Sequence, residues 1–273
     1  TGVQTCALPI SHVPSYLAYT ALAHVPGLPS APLFALTSHL SSAVLMALAA
    51  VLFCQLAQRM GAGERLATVL TLVFAFGTIA LVYGRSPYSE ALQTCALAYF
   101  VRRVFDAGDA ATDGRLAGVG IAGGLLMTSK LVLVLVLPIG MAYVATRGRH
   151  DLRGRRGRAA AAVGAGFLPF LLLALLHNVV KTGSMLHTGY DPVRDSFTGD
   201  LYAGLVGLLV SPGKGLFWYS PPLTLALCGL AAAWRTRRDE TLLLGATIGV
   251  VLVVHAKYLI WHGGYSWGPR YAV

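Results

Sequence analysis

Four short segments of the sequence carry residues suited to binding and transferring a charged group. The first is residues 83–90 (YGRSPYSE), where Arg85 is suited to bind an anion and Glu90 to accept a proton from a hydroxyl group. Pro87 and Glu90 are also residues that the first turn of a helix favours. A helix cap beside an interfacial arginine therefore explains the same pattern without chemistry.

The second segment is the polar connection between residues 177 and 210. Lys181 and Tyr190 are candidate substrate-binding residues, and Asp191 is a second candidate base besides Glu90. Solvation of an exposed loop explains the same mixture of charges. The three aspartates of this segment lack the spacing of a calcium-binding loop. We therefore predict no metal site, although a divalent metal ion remains compatible with the chemistry.

The third segment is residues 211–219 (SPGKGLFWY), in which Lys214 is suited to bind a phosphate group at the level of the lipid headgroups. The segment is not a Walker motif, because Gly215 stands where the Ser or Thr that binds magnesium is required. The preceding apolar residues, 201–210, are too few to cross a bilayer and predict a re-entrant turn. An interfacial anchor, with Trp218 and Tyr219 in the aromatic belt, is the competing interpretation.

The fourth segment is residues 261–271 (WHGGYSWGPRY). His262 and Trp267 are candidate substrate-binding residues, since an aromatic face is a natural platform for a sugar, and Arg270 is suited to hold phosphate bidentately. An aromatic belt with a turn is the alternative. His255 and Lys257 lie in the preceding apolar stretch, where ionisable residues are functional candidates.

The elements that position these segments are predicted to be membrane helices. The sequence is 56% hydrophobic and 12% charged, whereas soluble domains carry about a quarter charged residues. Several apolar stretches approach the roughly 20 residues that cross a bilayer: Leu33–Leu56, Leu66–Tyr83, Ala159–Leu176 and Thr241–Val254. We expect an all-α, polytopic integral membrane protein with seven to eight membrane segments.

The net charge of +10 comes from arginines in short loops between apolar stretches, and not from a basic surface of the kind that binds nucleic acid. We therefore predict no nucleic-acid partner. Four loops hold 14 of the 21 lysine and arginine residues and predict the cytoplasmic side. These loops carry Arg59 and Arg65; Arg102, Arg103 and Arg115; Arg147, Arg149, Arg153, Arg155, Arg156 and Arg158; and Arg235, Arg237 and Arg238.

With those loops inside, the predicted spans are 33–57, 66–84, 87–101, 159–178, 216–234 and 241–260, and residues 116–146 go out and back. Thirty-one residues are few for two crossings at about 1.5 Å per residue, so we expect short helices broken near Ser129-Lys130. The other charges then fall at the outer ends of the spans. They are Arg85, Glu90, Lys130, Lys181, Asp191, Arg194, Asp195, Asp200, Lys214 and Arg270.

The first ten residues, TGVQTCALPI, resemble an in-frame translation of a sequencing-library adapter. We accordingly expect residues 1–10 to be non-native and residues 11–273 to be part of a longer membrane domain. Residues 11–32 hold no Asp or Glu. We expect the coding sequence upstream of Ser11 to add an apolar span and an outer loop with acidic residues.

Taken together, the motifs RSPYSE, HNVVKTGSMLHTGYD, GLLVSPGKGLFWYSP and WHGGYSWGPRY resemble bacterial membrane glycosyltransferases of the GT-C class. More narrowly, they resemble the group related to dolichyl-phosphate-mannose protein mannosyltransferases. The resemblance runs from about Leu33 to the end of the chain, and the last two motifs are the most specific.

The resemblance implies a multi-helix protein of the bacterial inner membrane, with its active face outward. Such an enzyme transfers a mannose-like sugar from a polyprenyl-phosphate donor to an acceptor glycan, lipid or protein. It implies that cationic side chains bind the donor phosphate, here Arg85, Lys214 and Arg270, and that an acidic residue of the first outer loop is the base. That loop is missing from residues 11–32, so Glu90 and Asp191 are the remaining candidates and this chain alone is expected to be inactive.

Two other functions remain open at the level of sequence. A transporter or lipid flippase would place charges near the membrane midplane on repeated halves. The chain shows no internal repeat, and its charges fall at the rim. A non-catalytic membrane subunit is the other alternative.

Overall fold

The computed structural model describes residues 13–24, 30–188, 196–264 and 268–269. These residues form helices and no strands, which confirms the predicted all-α class. The chain divides into two compact units, Thr1–Ala96 and Leu97–Val273, and the boundary falls within a helix.

The first unit is organised around one long helix, α2, which packs against the three other helices that lie wholly within the unit. Phe53 of α2 stacks on Phe74 of α3 with ring centroids 4.9 Å apart, and Met46 of α2 covers Gly84 at the end of α4. The helices are α1 (Val13–Leu22), α2 (Ser30–Arg59), α3 (Glu64–Gly77), α4 (Ala80–Gly84) and the start of α5 (Glu90–Asp109).

The second unit contains the rest of α5 and the helices that follow it. Its core includes Phe100 and Val104 of α5, which pack on Gly140, where there is no side chain to hold them away. The helices are α6 (Asp113–Ser129), a 3₁₀ helix (Leu131–Val136), α7 (Leu137–Arg147), α8 (Arg149–Leu152), α9 (Arg156–Thr182), α10 (Leu201–Val210), α11 (Leu216–Tyr219), α12 (Leu223–Thr236) and α13 (Arg238–Lys257).

Helices α6 and α9 make the most extensive helix pair of the second unit and run in the same direction. A Cβ atom on Gly120 of α6 would collide with the carbonyl oxygen of Val163, and one on Gly166 of α9 would collide with that of Ala117. Gly124, one turn after Gly120, lies against the Phe170 side chain. This is the small-residue packing that brings membrane helices to backbone contact.

Three helices of the described chain are long and apolar enough to cross a membrane: Pro32–Arg59, Arg156–Thr182 and Arg238–Lys257. Their large apolar side chains are often exposed; Leu172 of α9, for example, is 56% exposed. Contiguous apolar surface of this kind is rare on proteins that face water. The length and composition of these helices indicate a membrane protein.

In the part of the chain that the structure describes, three helices are long and apolar enough to cross a membrane, which is fewer than the seven to eight membrane segments predicted. The predicted span 66–84 is interrupted at Thr78, whose hydroxyl bonds Phe74 O and accepts from the Ala80 N–H. The predicted span 216–234 is interrupted between α11, which ends at Tyr219, and α12, which begins at Leu223. Ser220 and two prolines lie between them, and a proline has no backbone N–H to donate to a helical hydrogen bond.

The predicted break near Ser129-Lys130 is confirmed. Helix α6 ends at Ser129, Lys130 is extended with φ −161° and ψ 119°, and the 3₁₀ helix follows. The predicted span 87–101 corresponds to the first part of α5, which begins at Glu90 and continues to Asp109. Its second half carries charged residues, so α5 is not among the three apolar helices.

The contact between α6 and α9 predicts that Gly120→Ala destabilises the protein, because the added methyl group must push the two backbones apart. Overpacking of this kind costs about 1–3 kcal/mol. The matched control is Gly164→Ala on α9, where a Cβ atom meets nothing within 4 Å. Thermal unfolding in detergent should show a lower midpoint for Gly120→Ala alone. Equal midpoints for the two variants would contradict the packing.

Candidate functional site

Three of the four basic loops meet at one end of the second unit, which we call the basic end (residues 109–115, 147–158 and 236–240). The Asp113 carboxylate at the start of α6 pairs with Arg155 and Arg158 at the start of α9, at 2.5 and 2.6 Å. Arg147 at the end of α7 lies 3.6 Å from Asp239 at the start of α13. The sequence assigned these loops to one side of the membrane, and within this unit they lie together.

Helices α6 and α13 both lead away from the basic end. Their 17 and 20 residues correspond to about 25–30 Å, close to the thickness of a hydrocarbon core. Their far ends carry Lys130, His255 and Lys257. We call this region, residues 129–131, 196–220 and 254–264, the polar end. Its polar side chains lie one helix length from the arginines of the basic end.

Helix α10 lies across the last turn of α13 at the polar end. A Cβ atom on Gly204 would collide with the carbonyl oxygen of Ala256, so this glycine permits backbone contact. The Gly199 N–H donates to Lys257 O at 2.9 Å, and the Lys257 ammonium donates back to Gly199 O at 3.2 Å. Asp200 caps α10 by accepting from the Ala203 N–H at 2.6 Å. The predicted short apolar segment therefore covers the end of a membrane helix.

An open cavity of about 650 Å³ lies beside this crossing. It is lined by Thr198, Gly199, Asp200, Leu201, Tyr202, Leu205 and Lys257. Tyr202 is 79% exposed, so its ring borders the cavity without closing it. The cavity combines one carboxylate, one ammonium and one phenol, a set able to bind a polar group at the membrane surface.

Lys214 lies in a tight turn that follows α10. The turn is closed by the Gly215 N–H, which donates to Ser211 O at 2.6 Å, and by the Lys214 N–H, which donates to the Ser211 hydroxyl at 3.2 Å. The Lys214 ammonium donates to Gly264 O at 3.0 Å. The third and fourth segments of the sequence are therefore in direct contact.

A second contact joins α10 to the fourth segment. Gly207 of α10 lies against the indole of Trp261, where any Cβ atom would collide with the ring. Trp261 in turn meets the imidazole of His262 edge to face, with ring centroids 5.7 Å apart. The Trp261–His262 pair therefore lies beside α10, and the Lys214 ammonium bonds to Gly264, two residues after His262.

The polar end also contains a lysine–histidine contact between residues far apart in sequence. The Lys130 ammonium lies 2.9 Å from Nε2 of His255, and Nδ1 of His255 lies 2.7 Å from Val251 O. The carbonyl can only accept, so Nδ1 carries the proton and Nε2 accepts from the lysine. His255 is 4% exposed. Sequence reasoning singled out both residues but not their contact, which joins positions 125 residues apart.

The predicted site residues fall in three groups. Arg85 and Glu90 belong to the first unit: Arg85 has an exposed side chain and a carbonyl group that accepts from His39, and Glu90 is buried at the start of α5. Lys181 and His262, both exposed, belong with Lys214 to the second unit. Tyr190, Asp191, Trp267 and Arg270 lie outside the described residues.

Lys181 and His262, the two exposed site candidates of the second unit, each lie in a defined local structure. Lys181 lies in the last turn of α9, which ends at Gly183 in a left-handed conformation with φ 77°. His262 accepts from the Gly264 N–H at 3.1 Å through Nδ1. This bond belongs to the same turn whose carbonyl group receives the Lys214 ammonium. His262 and Lys214 therefore both contact the turn at Gly264.

Among the residues that the structure describes, no group of three or more His, Cys, Asp or Glu side chains is arranged to hold a metal ion. Comparison with protein-family models, curated proteins and solved structures finds no match to this chain. The function must therefore be argued from the residues of the polar end themselves.

The separation of the basic and polar ends predicts opposite accessibility across the membrane. In a variant lacking its native cysteines, a cysteine at Thr198 should react with a membrane-impermeant maleimide added to intact spheroplasts. A cysteine at Arg149 should react only after permeabilisation, because basic loops remain in the cytoplasm. Labelling of both positions in intact spheroplasts would contradict the arrangement.

Proposed function

We propose that the protein transfers a mannose-like sugar from a polyprenyl-phosphate donor to an acceptor at the outer face of the bacterial inner membrane. The observation that carries the proposal is the bond between Lys214 and Gly264 O, at 3.0 Å. It joins the two motifs on which the resemblance to GT-C glycosyltransferases rests most heavily. Residues 50 positions apart thereby form one polar surface next to the aromatic rings of Trp261 and His262.

The proposed reaction places specific demands on this surface. The acceptor hydroxyl attacks the anomeric carbon, the bond from that carbon to the phosphate oxygen breaks, and the lipid leaves as a phosphate monoester with one more negative charge. An ammonium group at that oxygen stabilises the developing charge, and a base receives the hydroxyl proton. Lys214 supplies the ammonium in this proposal, and Glu90 and Asp191 remain the candidates for the base.

The position of the polar end supports a lipid-linked donor. Lys214 is half-buried beside Trp218, an exposed aromatic residue of the kind that marks a membrane interface. A polyprenyl chain reaches this level from within the bilayer, whereas a water-soluble nucleotide sugar would approach from the aqueous phase. A phosphate group carried on a lipid therefore fits the depth of Lys214 better.

The decisive assay uses the protein extended by the coding sequence expected upstream of Ser11, in proteoliposomes that contain radiolabelled polyprenyl-phosphate mannose and acceptors from bacterial membranes. We expect release of polyprenyl phosphate together with label in an acceptor fraction. Lys214→Met should lower the rate at least tenfold, because it removes the charge and keeps the length of the side chain. Lys214→Arg should retain part of the activity. Arg149→Met, which removes one charge at the basic end, should match the wild type.

Two results would overturn the proposal. Equal rates for Lys214→Met and the wild type would remove Lys214 from the reaction. Movement of the intact donor between leaflets, without release of polyprenyl phosphate, would instead identify a flippase. Measuring transbilayer movement in the same proteoliposomes separates that alternative from sugar transfer.

A further inference from the structure

Another open cavity, of about 480 Å³, lies at the basic end, between the end of α7 and the junction of α12 with α13. Five of the six residues that line it are charged. The lining consists of Arg147, Thr236, Arg237, Arg238, Asp239 and Glu240. The cavity lies one length of α13 away from the polar end, and the transfer reaction proposed there uses none of these residues.

The two carboxylates of the cavity are paired with one arginine. A guanidinium nitrogen of Arg147 lies 3.6 Å from a carboxylate oxygen of Asp239, and another lies 3.9 Å from one of Glu240. Among the described residues, Arg237 and Arg238 have no acidic partner at ion-pair distance. The lining therefore carries an excess of positive charge, which the two arginines without acidic partners supply.

The junction between α12 and α13 fixes the backbone from which these two arginines project. Helix α12 ends at Thr236 and α13 begins at Arg238, and Arg237 between them is non-helical, with φ −142° and ψ 60°. The Arg237 N–H donates to Ala233 O at 2.7 Å. Its carbonyl group accepts from the N–H and the hydroxyl of Thr241, at 2.9 and 2.8 Å. The turn is therefore ordered by bonds that do not use the Arg237 guanidinium.

The side chain of Arg238 lies over an aromatic ring. Its guanidinium carbon is 5.3 Å from the ring centroid of Trp234, a distance at which a cation is attracted to the ring. A guanidinium in this position keeps its charge, and its N–H donors can still bind a phosphate group. Trp234 is 45% exposed near the end of an apolar helix, as tryptophans at a membrane interface often are.

An exposed apolar stripe on α12 leads to the cavity. Leu227, Leu230 and Trp234 are three and four residues apart, so they share one face of the helix and cover about 10 Å along its axis. All three side chains are exposed. A water-soluble phosphate compound would make no use of this stripe, whereas the acyl chain of a lipid whose headgroup occupies the cavity would lie along it. The surroundings therefore favour an amphiphilic anion.

We propose that this cavity binds the phosphate headgroup of an anionic phospholipid, with Arg237 and Arg238 as the binding residues. A guanidinium donates parallel, charge-assisted hydrogen bonds to two phosphate oxygens. Basic pockets between membrane helices on the cytoplasmic side are known to bind anionic lipid headgroups, and the arginine-rich loops of the basic end predict that side. The site is independent of the sugar transfer proposed for the polar end.

The test is native mass spectrometry of the full chain in a neutral maltoside detergent, titrated with phosphatidylglycerol or phosphatidylcholine. We expect a Kd at least tenfold lower for phosphatidylglycerol. Arg237→Gln/Arg238→Gln should raise that Kd at least tenfold, because it removes both charges that lack an acidic partner. Arg237→Lys/Arg238→Lys should raise it less, since it keeps the charges and loses the paired donors. Glycerol phosphate should compete weakly, because it has no acyl chain.

A matched double variant separates a defined site from general attraction to the basic end. Arg153→Gln/Arg156→Gln removes the same charge from exposed residues outside the cavity lining, and it should leave the Kd unchanged. Asp239→Asn should lower the Kd severalfold, because it removes a negative charge from the cavity and one partner of Arg147. A gain of affinity cannot result from misfolding, so Asp239→Asn tests the site even if the double variant at the junction does not fold.

Three results would overturn the proposal. Equal Kd values for the wild type and Arg237→Gln/Arg238→Gln would remove the two arginines from lipid binding. An equal loss in Arg153→Gln/Arg156→Gln would show that the basic end attracts anionic lipid without a defined site. Competition by glycerol phosphate as strong as that by the intact lipid would identify a site for a soluble phosphate compound. Each result leaves the transferase proposal standing, since the titration contains no sugar donor.

Discussion

The backbones of α6 and α9 touch directly because Gly120 and Gly166 carry no side chain, and much of the second unit depends on this contact. Because the two helices run in the same direction, their starts lie together. The shared start brings Asp113 to Arg155 and Arg158. The shared direction carries Lys130 to the opposite end. A side chain at either glycine would separate the helices and loosen both arrangements.

The charges of the second unit are distributed according to this axis. Arginines and their acidic partners occupy the basic end, where ion pairs such as Arg147 with Asp239 are half exposed and contribute little stability by themselves. Lysines occupy the polar end, where Lys130 bonds to His255 and Lys214 bonds to Gly264. The two ends of the second unit therefore differ in the kind of charged residue that they carry.

Helix α10 covers the last turn of α13 at the polar end. It is ten residues long, about 15 Å, and so cannot cross a bilayer. Two of its glycines allow it to lie directly on neighbouring groups, Gly204 on the Ala256 backbone and Gly207 on the Trp261 ring. The turn that follows α10 brings Lys214 to the segment after α13, where its ammonium donates to Gly264 O. The two motifs depend on this crossing for their contact.

The sequence by itself determined the all-α class, the membrane character, the grouping of the basic loops and the break at Ser129-Lys130. These follow from hydropathy, loop charge and residue counts, which are local properties of the chain. It also overestimated the number of membrane segments, because hydropathy does not register where Thr78 or the prolines after Ser220 end a helix. Apolar composition continues through such breaks, whereas helical hydrogen bonding does not.

Only the tertiary structure decided which of the candidate residues meet. Lys130 and His255 are both visible in the sequence as ionisable residues near apolar stretches, but nothing local relates positions 125 apart. The same holds for Lys214 and Gly264. Arg85 and Glu90, which the motifs grouped with Lys214, belong to the other compact unit. Pairings of this kind depend on how helices pack, which hydropathy and loop charge do not specify.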